Sequence, residues 1–357
     1  MAIERGHFDL TGPKQLTEVD WTNNHHRRAV VASLVEGAYN SEYDSQESRD
    51  PQVQSSRWWN FFHFQLKRAL VDDKDSSIYG AVYEIKHTYL NHLPKCAPKY
   101  VIAFRGTILK LSTAKRDLKL NIKVLTDVLH MDRHRFKPAL EAVQQVVQEA
   151  GSANIWLAGH SLGSSIAMMV GKSMAQEGKC MEAFLFNPPL LGNVLLKIIG
   201  NQYLQDAMRL TETLCNFGTL FVGGGHVRQG QYDQFNALSS WIPNLFVNRH
   251  DPICSEYIGH FRNRNNVEKQ FGAGMIGRVA VLQPTLGVLK AAVGMNPQLS
   301  TQLLPKAYLT ISESSSSCSI LEAHGLRQWW YHMSLGPAFA DLLRKKSISD
   351  PVLMGGP

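Results

Sequence analysis

The apolar positions fall into short blocks whose spacing changes along the chain. Ala29, Val30, Ala32, Leu34, Val35 and Ala38 predict a helix, with Asp20 as its candidate cap. Residues 41–57 are polar, carry Pro51 and predict a loop. Trp58, Phe61, Phe62 and Leu66 recur at helical spacing, so an aromatic-rich helix with its rings in the core is expected over 58–70. From Ile78 the period shortens. Residues 78–85 read as a strand, and 99–104 form the continuous apolar run of a strand buried on both faces. Leu118, Leu120, Ile122 and Val124 alternate, which predicts another strand over 116–124. An amphipathic helix (136–149), a strand (154–158), a helix (162–176) and a strand (183–186) follow, the last stopped by Asn187 and two prolines. Residues 190–240 read as helix and loop, 241–248 as one more strand, 262–305 as irregular, and the serines at 314–317 as a loop.

Strands alternating with helices predict an α/β fold, with a mostly parallel central sheet flanked by helices. The 357 residues could hold two domains, but α/β enzymes run well past about 250 residues as one. The expectation is a single domain over 1–357, with an N-terminal helical segment (1–70) and insertions at 190–240 and 262–310.

Composition excludes a disordered chain: 44% of residues are hydrophobic and 19% charged. Charge adds more. Of the net +7, +6 falls in residues 105–137, where nine Lys/Arg face three acids. A local patch of this kind suits an anionic membrane surface or an anionic ester. No nucleic-acid motif accompanies it. The five cysteines lie far apart, which argues against a disulfide framework or a zinc site and for reduced thiols in the cytoplasm. The first ten residues hold no apolar signal core, and the apolar run at 275–295 is broken by Arg278, Pro284 and Lys290.

One motif carries specific chemistry. Gly159-His160-Ser161-Leu162-Gly163 lies between a predicted strand and a predicted helix. A serine on such a sharp turn exposes its hydroxyl, and the turn crowds the backbone so that Gly159 and Gly163 must be small. The helix that follows points its N-terminus at the site. Acyl transfer also needs two donors for an oxyanion. The N–H of Leu162 is the first, and Thr107, just past the 99–104 strand, is the candidate second. His160 is expected to pack or to hydrogen-bond away from the chemistry.

Ala-Phe-Arg-Gly-Thr (103–107) and Leu-Ala-Gly-His-Ser-Leu-Gly (157–163) together resemble the class 3 lipases, the fungal-lipase-like branch of the α/β-hydrolases. Within it the chain is similar to a plant lipase-like group, through Val-Asp-Trp (19–21), His-Arg-Arg (26–28), Trp-Trp-Asn-Phe-Phe-His-Phe (58–64), Leu-Val-Asp-Asp (70–73) and Phe-Asn-Pro-Pro (186–189). Members are often labelled GDSL esterase/lipase, although no Gly-Asp-Ser-Leu string occurs here. The resemblance implies an α/β-hydrolase fold, a Ser-Asp-His triad in that chain order, and a lid where residues 108–135 stand. Ser164 and Ser165 replace glycines usual in the family, and both are small.

An acid is expected just past a late strand, and Asp251 follows the apolar run of 244–248. It also matches the family's acid position, whereas Asp206 and Asp233 lack a preceding strand. Of the fourteen histidines, His260, His324 and His332 follow Asp251. His324 resembles the family's late histidine and is the expected base, with His260 the alternative. The expected function is carboxylic ester hydrolysis, of an acyl lipid, through an acyl-enzyme and without metal or cofactor. An acyltransferase using the same triad, or a lipid-binding or signalling scaffold without activity, would share these residues. Partners are then an ester substrate and, through residues 108–137, an anionic membrane. Oligomeric state, head group and acyl length leave no trace in the sequence.

Overall fold

The computed structural model describes residues 6–47, 55–90, 94, 96–108, 118–190, 238–261, 304, 306–312, 319–331 and 352–354, with side chains from 134 onward in the stretch that begins at 118. One eight-stranded sheet runs in chain order: β1 (Phe64–Val71), β2 (Ile78–Ile85), β3 (Tyr100–Phe104), β4 (Ile155–His160), β5 (Glu182–Phe186), β6 (Asn244–Asn248), β7 (Ala307–Ser312) and β8 (Val352–Met354). β3 to β7 are parallel, while β1, β2 and β8 pair antiparallel at the edges. The expected mostly parallel α/β architecture is present.

The strands bury both faces. Along β4, Ile155 and Leu157 point into one core, and Trp156 and Ala158 into the other. The first face is covered by two crossover helices, the helix α2 (Leu118–Ala150) and the helix α3 (Leu162–Gln176). The second is covered by α1 (Asn24–Gln46), by Trp58, Trp59 and Phe62, and by Trp329 and Trp330. Trp58, Trp59, Phe62 and Phe64 are thus core, as expected, and Phe61 packs against them partly buried.

Four local expectations need correction. Asn23, not Asp20, caps α1, accepting from His25 N and His26 N at 2.8 and 3.4 Å; Asp20 folds back on Thr22 instead. α1 also continues through 41–46, within the expected loop. Its polar residues are buried because they bond to neighbours: Glu42 accepts from Ile78 N, and Asp44 from Ser55 N. The helix expected over 58–70 is a single turn, Arg57–Asn60, followed by β1. His63 breaks the helix at φ 62°, and antiparallel pairing with β2 overrides the helical spacing.

The strand expected over 116–124 is helix from Leu118 onward. β3 already has β2 on one side and β4 on the other, so the sheet has no vacancy there. No strand is expected at β7 or β8: β7 lies between a stretch expected to be irregular and a serine loop, and three-residue β8 lies on an edge. Most of both expected insertions, 191–237 and 262–303, lies outside the described residues. Among the described residues no helix is long and apolar enough to cross a membrane.

Candidate active site

Parallel strands deliver their following loops to one edge of the sheet. Here β3 delivers 105–107, β4 delivers Ser161, β5 delivers Asn187 and β6 delivers Asp251. The helix α4 (Ile320–His324), which follows β7, brings His324.

Ser161 has φ 53° and ψ −124°, a strained conformation for a residue with a side chain. It sits at the N-terminus of α3, and its hydroxyl does not cap the helix. The two glycines explain how the turn closes. A Cβ on Gly159 would stand 2.2 Å from Gly163 O, and one on Gly163 would stand 2.2 Å from Phe104 O. Neither gap admits a carbon atom. Ser161 N–H donates to Phe186 O at 2.9 Å, tying the turn to β5. Ser164 uses its small hydroxyl inside the turn, 2.8 Å from both Gly159 O and Phe186 O.

The loop after β3 packs directly on this turn: a Cβ on Gly106 would lie 2.9 Å from Ser161 Cβ. Arg105 holds the loop from below, donating through Nη1 to Gly106 O at 2.8 Å and through Nε to Ile78 O. The next residue, Thr107, carries a buried hydroxyl oxygen with no hydrogen-bond partner among the described residues. A buried hydroxyl usually finds a partner, and among the described residues the Tyr83 hydroxyl is the other buried one without. Leu162 is 2% exposed.

Asp251 is fully buried. Its Oδ2 accepts from His324 Nδ1 at 2.8 Å, from Asn187 Nδ2 at 2.8 Å and from the Cys254 thiol at 3.0 Å. Its Oδ1 accepts from Ile253 N at 3.0 Å. Burial pushes the Asp251 carboxyl up, but the charge of His324 and the bonds from His324, Cys254 and Asn187 hold it below the usual range. Burial and the neighbouring carboxylate push the Cys254 thiol up, so the sulfur keeps its proton and donates. The carboxylate only accepts, so in neutral His324 the proton is on Nδ1 and the lone pair on Nε2. The alternative, His260, packs edge-on against Phe261, with ring centroids 5.4 Å apart. His332, Asp206 and Asp233 lie outside the described residues.

His160 is fully buried, and its ring centroid lies 4.9 Å from that of His324. Its Nε2–H donates to His324 O at 2.7 Å, because a carbonyl can only accept. Its Nδ1 therefore accepts from the Tyr39 hydroxyl at 2.8 Å, which in turn accepts from Gly106 N–H at 2.7 Å. Burial, with the charge of His324 second, pushes His160 down to about 3, so it stays neutral. This chain ties the 105–107 loop, α1, the serine turn and the backbone of His324 together. Tyr39, Asn187, Cys254 and Trp329 were missed as site residues. Only Asn187 left a signal, an asparagine wedged between a buried strand and two prolines. Most of the basic stretch, 109–117 and the side chains of 118–133, lies outside the described residues. Among the described residues no cluster of three or more His, Cys, Asp or Glu could hold a metal ion.

A serine on a strand-to-helix turn, a glycine-bearing loop packed against it and an Asp–His pair stand at the same end of the parallel strands of an α/β fold. Residues 101–214 match the class 3 lipase family. The chain is also 40% identical over 344 residues to a protein of Arabidopsis thaliana named GDSL esterase/lipase At4g10955, covering 92% of this chain and 96% of that one. The chain belongs to the class 3 lipase family and is a carboxylic ester hydrolase.

Proposed function

We propose that the chain hydrolyses acyl-lipid esters through Ser161, with His324 as base and Asp251 as its orienting carboxylate. The observation that carries this reading is the buried 2.8 Å bond between His324 Nδ1 and Asp251, delivered to the same strand edge as Ser161. Ser161 attacks the ester carbonyl, and its proton passes to His324 Nε2. The N–H of Leu162 and the hydroxyl or N–H of Thr107 receive the oxyanion, and the orphan Thr107 oxygen fits that assignment. His324 then returns the proton to the leaving alcohol. Water, activated by the same imidazole, releases the acid from the acyl-enzyme.

The +6 stretch at 105–137 supports work at an anionic membrane surface on the cytoplasmic side. Replacing Lys110, Lys115 and Arg116 by Glu should weaken binding to anionic vesicles at low salt. Binding equal to wild type would remove the membrane from the proposal.

The chemistry is tested with a fluorophosphonate probe and a panel of glycerides, phospholipids and galactolipids. Wild type should be labelled and should release fatty acid from at least one lipid class. Ser161→Ala should lose labelling, and its turnover should fall about a million-fold, to background. Full turnover by Ser161→Ala would end the reading.

A further inference from the structure

Asn187 stands at the end of β5 and has no part in the chemistry above, yet it bonds to Asp251 and to the backbone beside His324. It is fully buried and adopts φ 45°, in the left-handed region where side chains are uncommon and Asn is among the better tolerated. Its N–H donates to Phe246 O at 2.8 Å, fastening it to β6. Its amide nitrogen lies 2.8 Å from Asp251 Oδ2 and 3.1 Å from Ala323 O. Its amide oxygen accepts from Trp329 Nε1 at 2.8 Å.

The amide nitrogen also lies 3.6 Å from Cys254 Sγ, a weak acceptor, and only one orientation of the amide satisfies Asp251, Ala323 and Trp329 together. An indole N–H can only donate, while a carboxylate and a carbonyl can only accept. A flipped amide would set oxygen against two acceptors and N–H against N–H. Trp329 therefore holds the amide so that both of its hydrogens face the acid–base pair.

We infer that Asn187 is a positioning residue for the reaction, setting the Asp251 carboxylate and the helix that carries His324 in register with one another. The inference rests on the Ser161 reading proposed above. Ala323 immediately precedes His324, so one NH2 group spans the acid and the backbone of the base. A shift of either breaks one of the two bonds. The same donor also withdraws charge from Oδ2, the oxygen that faces His324. Without it, that oxygen holds the imidazolium more tightly, and His324 becomes harder to deprotonate.

The titratable groups around His324 come from three elements. Asp251 and, behind it, Cys254 come from the loop after β6. His160 comes from the serine turn, its ring centroid 4.9 Å from that of His324, with Tyr39 of α1 behind it. His160 is neutral and Cys254 keeps its proton, so Asp251 supplies the charge in this set.

The test uses the full chain and p-nitrophenyl butyrate, with kcat and KM measured from about pH 5 to about pH 9. Asn187→Gly suits the backbone angle and deletes the donors. Asn187→Asp keeps the shape and replaces the donors by a carboxylate. Both should lower kcat about tenfold or more and leave KM within about twofold. Both should move the acid limb of the profile to higher pH by about half a unit to one unit. Trp329→Phe, which removes the orienting donor and leaves empty part of the buried site that the indole filled, should shift the limb the same way by less. An unmoved limb with wild-type kcat in a folded Asn187 variant overturns the inference. So does a lowered melting temperature with an unmoved limb, since a mere filler would behave that way. If neither Asn187 variant folds, the limb in Trp329→Phe decides. Ser161→Ala in the same assay keeps the two readings apart. Its turnover would sink the nucleophile. Its silence, beside unshifted Asn187 variants, would sink only the role of Asn187.

Discussion

The serine turn and the acid–base corner meet at the same edge of the sheet, but they are built in opposite ways. The turn is local. Its strain at Ser161 is held by β4, α3 and two glycines whose missing Cβ atoms leave room for Gly163 O and Phe104 O. The corner is assembled from afar. Asp251, Asn187, Ala323, His324 and Trp329 come from three separate segments, and their bonds join residues 64 to 142 positions apart. A steric closure has few solutions and tolerates few residues. A hydrogen-bonded corner has many, and depends on every partner offering the right donor or acceptor. The turn should therefore fail by unfolding, and the corner by losing rate while the fold survives.

The largest expected effect strikes the corner. Asp251→Asn should cut kcat by about ten-thousand-fold through loss of the carboxylate that orients His324, with circular dichroism unchanged. Activity within tenfold of wild type would separate Asp251 from the reaction. Next comes the turn. Gly163→Ala sets a methyl 2.2 Å from Phe104 O and should destabilise the protein by about 3 kcal/mol or more, read as a lower thermal midpoint. A wild-type midpoint would mean the turn can open to make room, and the contrast with the corner would dissolve.

Thr107→Val sharpens the contrast at the seam between the two. On the proposed role of Thr107 as an oxyanion donor, this change should lower kcat about a hundred-fold at constant KM. Stability should hold or rise slightly, because a buried hydroxyl without a partner is removed. Lower stability with full kcat would make Thr107 a packing residue.

The smallest effect concerns pH. His160 titrates near 6.5 when unfolded and is pushed down to about 3 when folded. The unfolded chain binds this proton more readily, so the contribution of His160 to stability is complete above about pH 6.5 and declines as pH falls toward 3. Buried Glu36 acts in the opposite sense. Burial pushes its carboxyl up from 4.5 to about 7, so stability is lost as pH rises through that window. The diagnostic is therefore a difference: His160→Gln should lose less stability than wild type between pH 7 and pH 4.5 in thermal melts. Parallel pH curves would free the His160 ring of this role.

The legibility of each region follows its construction. Gly159, Ser161, Gly163 and the helix behind them could be read from spacing alone, because local sterics dictate them. β3, β4 and β5 were legible for a related reason: strands buried on both faces are continuous apolar runs. β1 was misread because its aromatic neighbours mimic a helical period, and only pairing with β2 makes it a strand. Residues 116–124 alternate like a strand, yet the sheet offers them no edge. Asp251 was visible because an acid after a strand has positional meaning. His324 is favoured over His260 by its resemblance to the family's late histidine and by its place between a serine-rich loop and an apolar aromatic segment. Tyr39 left no mark at all, since its partners, Gly106 and His160, lie 67 and 121 residues away.

The sequence by itself determined the elements whose cause is local. These are the doubly buried strands, the turn that only glycine can close, and the concentration of positive charge in 105–137. The tertiary structure decided which histidine meets Asp251, which way the Asn187 amide faces, and, among the described residues, which two hydroxyls, of Tyr83 and Thr107, are buried without a partner. Those outcomes depend on the order of parallel strands, which carries their ends to one edge and makes neighbours of residues that no spacing rule connects.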